Sequence, residues 1–365
     1  MHLLQWSPRS HLQAILMFQA YSRYIPEYST ASDFETIFGH PPAIRTYCPG
    51  RIILMGDHLD YHDYCVISMT THEGTQILAA RNGRNEVRIV SKDPDEQYPA
   101  KEATILLPSN WAGTKTPEWL DYVLCGWKAV MDYVGDIQIG FDMLVHERIP
   151  KSCGAGSTTS LVVASALTTW AINTNKGFEG LTREEFAELC FISRRYLRAR
   201  GTGVDEAAMT EAHLNLRKMM KQLELLPVSA SREELEQLLG EDEVQKCLCE
   251  ETAHMTTFKL RARARYILSE ALRVEDFLDV STNPNRIGEL MGASSNSLAS
   301  DYDCGNPAVL DLVRRTFETK YGGRITAWGK RVLAVEDCAH PFDPEGDCLL
   351  FTYPAPTGAI VRFLN

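Results

Sequence analysis

Residues 139–172 combine a strand-like run, a turn of small residues and a helix-like run, and this succession constrains the fold more than any other segment. Apolar and β-branched residues predict a strand over 139–147, and the apolar sequence over 157–172 predicts a helix. Gly154, Ala155 and Gly156 lie between the two and allow close backbone approach. Because the first N–H groups of a helix lack intrahelical partners and lie at its positive end, this turn is suited to an anion.

Hydroxyl side chains begin the predicted helix. Ser157, Thr158 and Thr159 can bond phosphate oxygens or a magnesium ion. Alternatively, Ser157 or Thr158 only caps the helix, since both residue types are preferred at that position. The turn starts like a dinucleotide-binding fingerprint, but the third glycine is missing, and the sequence has no lysine-containing Walker loop. A phosphate site and a simple helix cap both remain open.

A second segment, residues 48–69, places polar side chains beside apolar, strand-like sequence. They are Arg51, Asp57, His58, Asp60, Tyr61, His62 and Asp63. Charged groups at the end of a sheet are costly unless they bind a ligand or one another. Carboxylates accept hydrogen bonds from hydroxyls, and histidine donates or accepts, so the set suits a polyol. A solvated turn and a hard-metal cluster for hydrolysis are the alternatives.

A third segment, residues 198–209, delivers Asp205 at the start of a predicted helix after a turn with two glycines. Asp205 is there either a helix cap or a functional carboxylate. Two arginine-rich stretches, one of them beside this turn, are typical of solvated helix faces. Their residues are Arg194, Arg195, Arg198 and Arg200 in the first, and Lys259, Arg261, Arg263 and Arg265 in the second.

Charge and composition limit the partners and the location. The 365 residues are 44% hydrophobic and 23% charged, which is typical of a folded globular protein, and the net charge is −11. Nucleic acids and anionic membranes attract basic surfaces, so neither is an expected partner. The ten cysteines show no disulfide spacing, and no apolar run is long enough to span a membrane. We expect a soluble, cytoplasmic monomer.

Strand-like runs concentrate in the first half of the chain, over 51–55, 65–69, 75–79 and 86–90, and a further strand is predicted over 360–363. Helices are predicted over 119–134 and, in the charged second half of the chain, over 207–223, 232–249 and 307–321. Because strands and helices do not alternate strictly, the pattern predicts an α+β fold. The change of sequence character predicts two domains, 1–205 and 206–365.

Together the three segments resemble the GHMP family of small-molecule kinases, and within it the galactokinases and N-acetylgalactosamine kinases. The sequences that carry the resemblance are PGRIILMGDHLDY, CGAGSTTS and GTGVDEA, in that order. The resemblance implies a two-lobed fold. Its N-terminal lobe is like the second domain of a small-subunit ribosomal protein, and its C-terminal lobe is helix-rich and ferredoxin-like. It also implies ATP and Mg²⁺ as cofactors and a sugar 1-kinase activity.

The resemblance also assigns roles. Asp57, His58, Asp60 and Tyr61 would bind the sugar, with Arg51 and Asp205 beside the hydroxyl that receives the phosphoryl group. The nucleotide phosphates would lie against Gly154, Ala155, Gly156, Ser157, Thr158 and Thr159. Thr158 stands at the family's magnesium-coordinating position. Phosphoryl transfer needs alignment and charge neutralisation, which an aspartate, an arginine and a metal ion can supply. All of these groups are expected to meet at one site.

The sequence departs from the family in its third motif, a glycine-rich loop near the C-terminus. Residues 322–326 are present, but Trp328, Lys330 and Arg331 follow where small residues are usual. This difference keeps a second hypothesis open, a galactokinase-like sugar sensor or regulator with weak catalysis. The sugar is also open: galactose is expected, and N-acetylgalactosamine or galacturonate are the alternatives.

Overall fold

A computed structural model gives the conformation of most of the chain. The residues that it describes are 27–59, 62, 64, 66–92, 101–135, 139–149, 154–197, 205, 227–248, 252–279, 284–304, 326–328, 331–333, 349–350 and 359–364. Two of the predicted sugar-binding residues, Asp60 and Tyr61, lie outside this set, as do the helices predicted over 207–223 and 307–321.

The chain forms two compact units that do not follow chain order. Unit 1 comprises Met1–Leu54, Cys65–Asn215 and Arg324–Asn365, and unit 2 comprises Met55–Tyr64 and Leu216–Gly323. The predicted domain boundary after residue 205 remains a prediction, because compact units of contact need not coincide with domains.

Unit 1 contains a mixed sheet with helices beside it. Its helices are α1 (Ala31–Phe38), α2 (Trp119–Val134), α3 (Ser157–Thr174) and α4 (Arg183–Ser193), followed by a 3-10 turn over Arg194–Leu197. Its strands are β1 (Ile44–Met55), β2 (Ile67–Arg81), β3 (Glu86–Ser91), β4 (Lys101–Leu106), β5 (Phe141–Glu147), β8 (Thr326–Trp328), β9 (Arg331–Leu333), β10 (Leu349–Leu350) and β11 (Ile360–Phe363). Six of them form a sheet in the order β11-β1-β2-β5-β3-β4, and β10-β9-β8 form a second sheet.

Alternate residues of β2 point to opposite faces of the large sheet and are buried in two separate cores. Ile77 and Ala79 are buried in the larger core, where α2 and α3 contribute most of the helical side chains. Leu78 and Ala80 are buried in a smaller core on the other side, together with Phe34 of α1. Because side chains of a strand alternate between faces, the continuous apolar stretch over 77–80 is covered on both sides of the sheet.

The glycine at position 126 allows α2 and α3 to pack with their backbones close together. A Cβ atom at Gly126 would lie 2.2 Å from the carbonyl oxygen of Val162 in α3. This close packing fixes α3, and with it the turn that precedes α3, against the sheet.

Unit 2 is mainly helical. It contains β6 (Ala230–Ser231), α5 (Arg232–Leu239), α6 (Glu241–Lys246), β7 (Thr257–Phe258), α7 (Leu260–Asp279) and α8 (Pro284–Ser300). The single helix predicted over 232–249 is wrong, because Gly240 has a φ of +93° and separates α5 from α6.

The α+β class is confirmed by this arrangement. Helix α2 has the predicted limits, Trp119–Val134, and β11 has the predicted limits, Ile360–Phe363. Two strands predicted over 65–69 and 75–79 form one strand, β2. None of the described helices is long and apolar enough to cross a membrane.

Candidate active site

Arg51 and Asp205 are in direct contact in unit 1 and form the centre of the candidate site. The Nε and Nη2 atoms of Arg51 both donate to Oδ1 of Asp205, at 2.8 and 2.5 Å. Both side chains are partly exposed, at 14% for Arg51 and 22% for Asp205. A ligand can therefore reach the pair, which lies 154 residues apart in sequence.

Arg51 also holds the glycine-containing turn. Its Nη1 atom donates to the carbonyl oxygen of Gly154 at 2.7 Å, and its backbone N–H donates to the carbonyl oxygen of Ala155 at 2.9 Å. The neighbouring Gly50 permits this approach, because a Cβ atom there would lie 2.8 Å from the Ala155 oxygen and 2.6 Å from Oγ1 of Thr71. One strand thus positions both the arginine and the turn.

The turn itself leaves the start of α3 open. Gly154 and Gly156 have φ angles of +76° and +73°, a region that residues with a Cβ atom rarely adopt. Gly156 is the N-cap residue and has no side chain with which to cap the helix. Ser157 and Thr158 are the first helical residues, so the alternative that either one serves as the N-cap is wrong. The first N–H groups of α3 are the kind of donors that bind anions.

Two buried hydroxyls in the first turn of α3 have partners within the protein. Thr159, 1% exposed, donates from Oγ1 to Oδ2 of Asp205 at 3.2 Å. Ser160, fully buried, donates to the carbonyl oxygen of Cys48 in β1 at 2.8 Å. Thr158 is exposed. The helix start is therefore attached to the carboxylate on one side and to β1 on the other.

A second arginine joins the cluster. Arg194, in the 3-10 turn after α4, donates from Nη2 to Oγ1 of Thr159. The same nitrogen lies 3.8 Å from Oδ2 of Asp205, and the side chain is only 17% exposed. The prediction that Arg194 belongs to a solvated helix face is wrong, whereas its neighbour Arg195 is 62% exposed. Sequence could not separate the two, because arginine is favourable at any helix C-terminus.

Two positive charges determine the ionisation of Asp205. Burial raises the pKa of this carboxyl group, but the charges of Arg51 and Arg194 outweigh burial, and the pKa lies below its ordinary value of 3.8. Asp205 is therefore an anion at neutral pH. Because the folded-state pKa is lowered, its ionisation stabilises the fold above pH 3.8, and this contribution is lost as the pH falls through the folded value.

In unit 2 a buried glutamate holds the turn that carries Asp57 and His58. Glu270 of α7 is fully buried. Its Oε1 atom accepts from the backbone N–H of Gly56 at 2.8 Å and from Oγ of Ser294 at 2.6 Å. Sequence reasoning missed Glu270, although an acidic residue in the apolar stripe of a helix was a visible signal.

Aromatic rings fix the same turn from a second side. The imidazole of His58 stacks on Tyr302, with ring centroids 4.9 Å apart, and Tyr302 also contacts Tyr266 at 4.7 Å. The hydroxyl of Tyr266 donates to the carbonyl oxygen of Asp57 at 2.8 Å. Burial raises the pKa of Tyr266, so this hydroxyl stays protonated and remains a donor. Leu59 is fully buried and His62 is exposed, so the alternative of a solvated turn stays open.

The residues predicted from sequence therefore fall into three sets. Arg51, Asp205, Thr159 and the 154–156 turn meet in unit 1, and Asp57 and His58 share one turn in unit 2. Asp60 and Tyr61 lie outside the described residues.

Asp205 and the exposed hydroxyl residue Thr158 are among the described groups that could hold a magnesium ion, because each carboxylate oxygen keeps a further lone pair beside its hydrogen bond. Magnesium is usually bound through one or two carboxylates together with substrate phosphates. Here Oδ1 of Asp205 accepts from Arg51, and Oδ2 accepts from Thr159. Within the described ranges, no group of three or more His, Cys, Asp or Glu side chains could hold a metal. The hydrolytic metal cluster considered for residues 57–63 stays a hypothesis, because Asp60 and Asp63 lie outside the described residues.

Comparison with solved structures shows which class of proteins has this fold. Aligned with this chain, the crystal structure of mevalonate kinase from Methanococcus jannaschii has a TM-score of 0.59 at 17% identity, over 88% of this chain and 99% of that one. The Lactococcus lactis galactokinase complexed with galactose has a TM-score of 0.59 at 18% identity, over 92% and 89%. The chain therefore has the fold of the GHMP small-molecule kinases.

The resemblance to galactokinases is also confirmed. Residues 32–81 match the galactokinase galactose-binding signature, and residues 121–212 match the GHMP kinases N terminal domain. Galactokinase from Dictyostelium discoideum is 28% identical over 193 residues, 52% of this chain and 38% of that relative. Galactokinase from Actinobacillus succinogenes is 23% identical over 352 residues, 83% of this chain and 87% of that relative.

Proposed function

We propose that this protein is a galactokinase-like sugar kinase that transfers the γ-phosphoryl group of ATP to the anomeric hydroxyl of galactose or a close relative. The observation that carries the proposal is the ionised Asp205, joined to Arg51 and placed beside the open start of α3. The galactose-binding signature over residues 32–81 supports the sugar, and the turn at 154–156 supports the nucleotide.

The chemistry follows from the positions of these groups. The sugar hydroxyl donates a hydrogen bond to Asp205, and its oxygen attacks the γ-phosphorus of ATP. As the new phosphorus–oxygen bond forms, the bond to the β-phosphate oxygen breaks and ADP leaves. The hydroxyl proton passes to the Asp205 carboxylate and then to solvent. Arg51 stabilises the charge that develops on the transferred group. Asp57 and His58 are proposed to bind the sugar hydroxyls.

A transfer assay tests this function. Purified protein is incubated with γ-labelled ATP, magnesium and a panel of galactose, N-acetylgalactosamine, galacturonate and glucose. Label in a sugar 1-phosphate, with galactose the best acceptor, is the expected result. No sugar phosphate with any member of the panel would contradict the proposal.

A sugar sensor with weak catalysis is the second candidate, and the structure of β8 and β9 favours it. Trp328 pairs with Arg331 in an antiparallel register, so two residues connect the strands. A connection this short differs from the glycine-rich loop that the family has near this position. If the panel sugars raise the melting temperature while no sugar phosphate forms, the sensor function is supported instead.

The lowered pKa of Asp205 predicts a particular pH dependence. Because this carboxylate is ionised far below neutrality, kcat should show no loss from its protonation down to about pH 5. The measurement is kcat at saturating ATP and galactose across this range, with Asp205→Glu as the comparison variant. An acid limb centred near neutral pH that moves in the glutamate variant would contradict the prediction.

A further inference from the structure

The hydroxyl of Thr159 links the first turn of α3 to the Asp205 carboxylate. Thr159 is 1% exposed, and its Oγ1 atom donates to Oδ2 of Asp205 at 3.2 Å. The same oxygen accepts a hydrogen bond from Nη2 of Arg194. Because a hydroxyl has one hydrogen to donate, the bond to Asp205 leaves the Thr159 hydroxyl with no hydrogen for a phosphate oxygen. The resemblance placed Thr159 against the nucleotide phosphates, and this geometry gives its hydroxyl a different partner.

The carboxylate of Asp205 is held at both of its oxygens. Arg51 donates from Nε and Nη2 to Oδ1, and Thr159 donates to Oδ2. The terminal torsion of an aspartate side chain is broad, so a carboxylate that is anchored at one oxygen can still rotate about that contact. A second anchor on the other oxygen fixes the plane of the carboxylate. It therefore also fixes the direction from which an acceptor hydroxyl can approach.

The surroundings of Thr159 give this second anchor a fixed position. The adjacent Ser160 is fully buried and donates to the carbonyl oxygen of Cys48 in β1, and α3 packs closely against α2 at Gly126. Threonine is branched at Cβ, so its side chain has few rotamers in a helix. The position of the Thr159 hydroxyl is thus set by the fold before any ligand binds.

We infer that Thr159 is a positioning residue, whose hydroxyl holds the Asp205 carboxylate in the orientation that phosphoryl transfer requires and does not bind the nucleotide phosphates. This inference rests on the proposed function, because the orientation of Asp205 matters for transfer only if Asp205 receives the hydroxyl proton. A misplaced catalytic group slows the chemical step. The contact therefore predicts a loss of kcat without a loss of nucleotide affinity.

Substitutions in α3 that keep the shape of the side chain test the inference. Thr159→Val removes the hydroxyl, and Thr159→Ser keeps it. Thr169→Val is the matched control, because Thr169 is fully buried in the same helix and its hydroxyl donates to the backbone carbonyl oxygen of Ser165 at 2.8 Å. The measurements are kcat in the transfer assay at saturating ATP and galactose, and ADP affinity by calorimetry. Melting temperatures without ligand check that each variant is folded.

We expect Thr159→Val to lower kcat by about tenfold or more, because a hydrogen bond to an ionised carboxylate is lost. Its ADP affinity should equal that of the wild type. Thr159→Ser should recover most of the lost activity, and Thr169→Val should match the wild type in both measurements. A fall in ADP affinity as large as the fall in kcat would overturn the inference in favour of a phosphate ligand. Equal kcat values for the valine variants at 159 and 169 would overturn it as well.

A double-mutant cycle separates this inference from the proposed function. Urea unfolding compares the wild type, Thr159→Val, Asp205→Ala and the double variant, and it needs no kinase activity. If the two substitutions are non-additive and the wild type forms no sugar phosphate, the positioning of Asp205 by Thr159 stands and the kinase function fails. If the wild type phosphorylates galactose and the substitutions are additive, the inference fails and the proposed function stands.

Discussion

Replacing Asp205 by asparagine is expected to lower kcat for sugar phosphorylation by about 10²–10⁴-fold, the usual contribution of a positioned acid or base. Asparagine keeps the shape of the side chain but cannot take the proton of the acceptor hydroxyl. Nucleotide affinity should not fall, because the change removes a negative charge between Arg51 and Arg194. The measurements are kcat in the transfer assay and ADP affinity by calorimetry.

Asp132→Asn is the matched control for this variant. Asp132 contacts Lys128 and Arg195, neither of which belongs to the candidate site, and its side chain is 32% exposed. We expect its kcat to remain within about twofold of the wild-type value, since exposed ion pairs contribute little. A kcat for Asp205→Asn within tenfold of the wild-type value would contradict the assigned role.

Replacing Glu270 by leucine is expected to reduce the free energy of unfolding by about 3–5 kcal/mol, the usual cost of breaking a buried charged network. The change leaves the N–H of Gly56 and the hydroxyl of Ser294 without their acceptor. It also leaves Arg273, whose Nε atom donates to Glu270 at 2.7 Å and whose side chain is 13% exposed, without its carboxylate. Urea unfolding measures the loss.

Two further variants separate the loss of the Glu270 hydrogen bonds from the effect of placing a leucine on this helix. Glu270→Gln keeps one acceptor oxygen and should lose less stability than the leucine variant. Asp276→Leu changes an exposed carboxylate on the same helix and should stay within about 0.5 kcal/mol of the wild type. Because Glu270 holds the turn with Asp57 and His58, the glutamine variant should also raise the KM for galactose more than the KM for ATP. Equal unfolding free energies for the leucine variants at 270 and 276 would exclude the buried network.

Local sequence predicted the bounds of an element correctly where the segment had a clear hydrophobic period and clear end signals. Helix α2 has an apolar face and a glycine just after it, and its predicted limits match the structure. Strand β4 was not predicted, because its sequence KEATIL is half polar and its side chains are mostly exposed. Pairing with β3 forms this strand, and a pairing partner is not visible in local sequence.

The candidate site likewise contains residues that the sequence indicated and a residue that it did not. The resemblance indicated Arg51 and Asp205, and the structure brings them into contact across 154 residues. It gave no indication that Arg194 contacts Thr159, because sequence alone does not show where the side chain of an arginine points. Thr159 was expected at the phosphates, yet its hydroxyl bonds to Asp205. Such choices depend on the direction in which a side chain points, and tertiary packing sets that direction.

The backbone of His58 has a φ of +63°, in the left-handed region where a side chain is unfavourable by about 1 kcal/mol. Glycine would adopt this conformation without that cost but would offer no imidazole to a sugar. The stack of the imidazole on Tyr302 offsets part of this backbone cost. A glycine at position 58 would relieve the backbone but would lose both this stack and the imidazole that is proposed to contact the sugar.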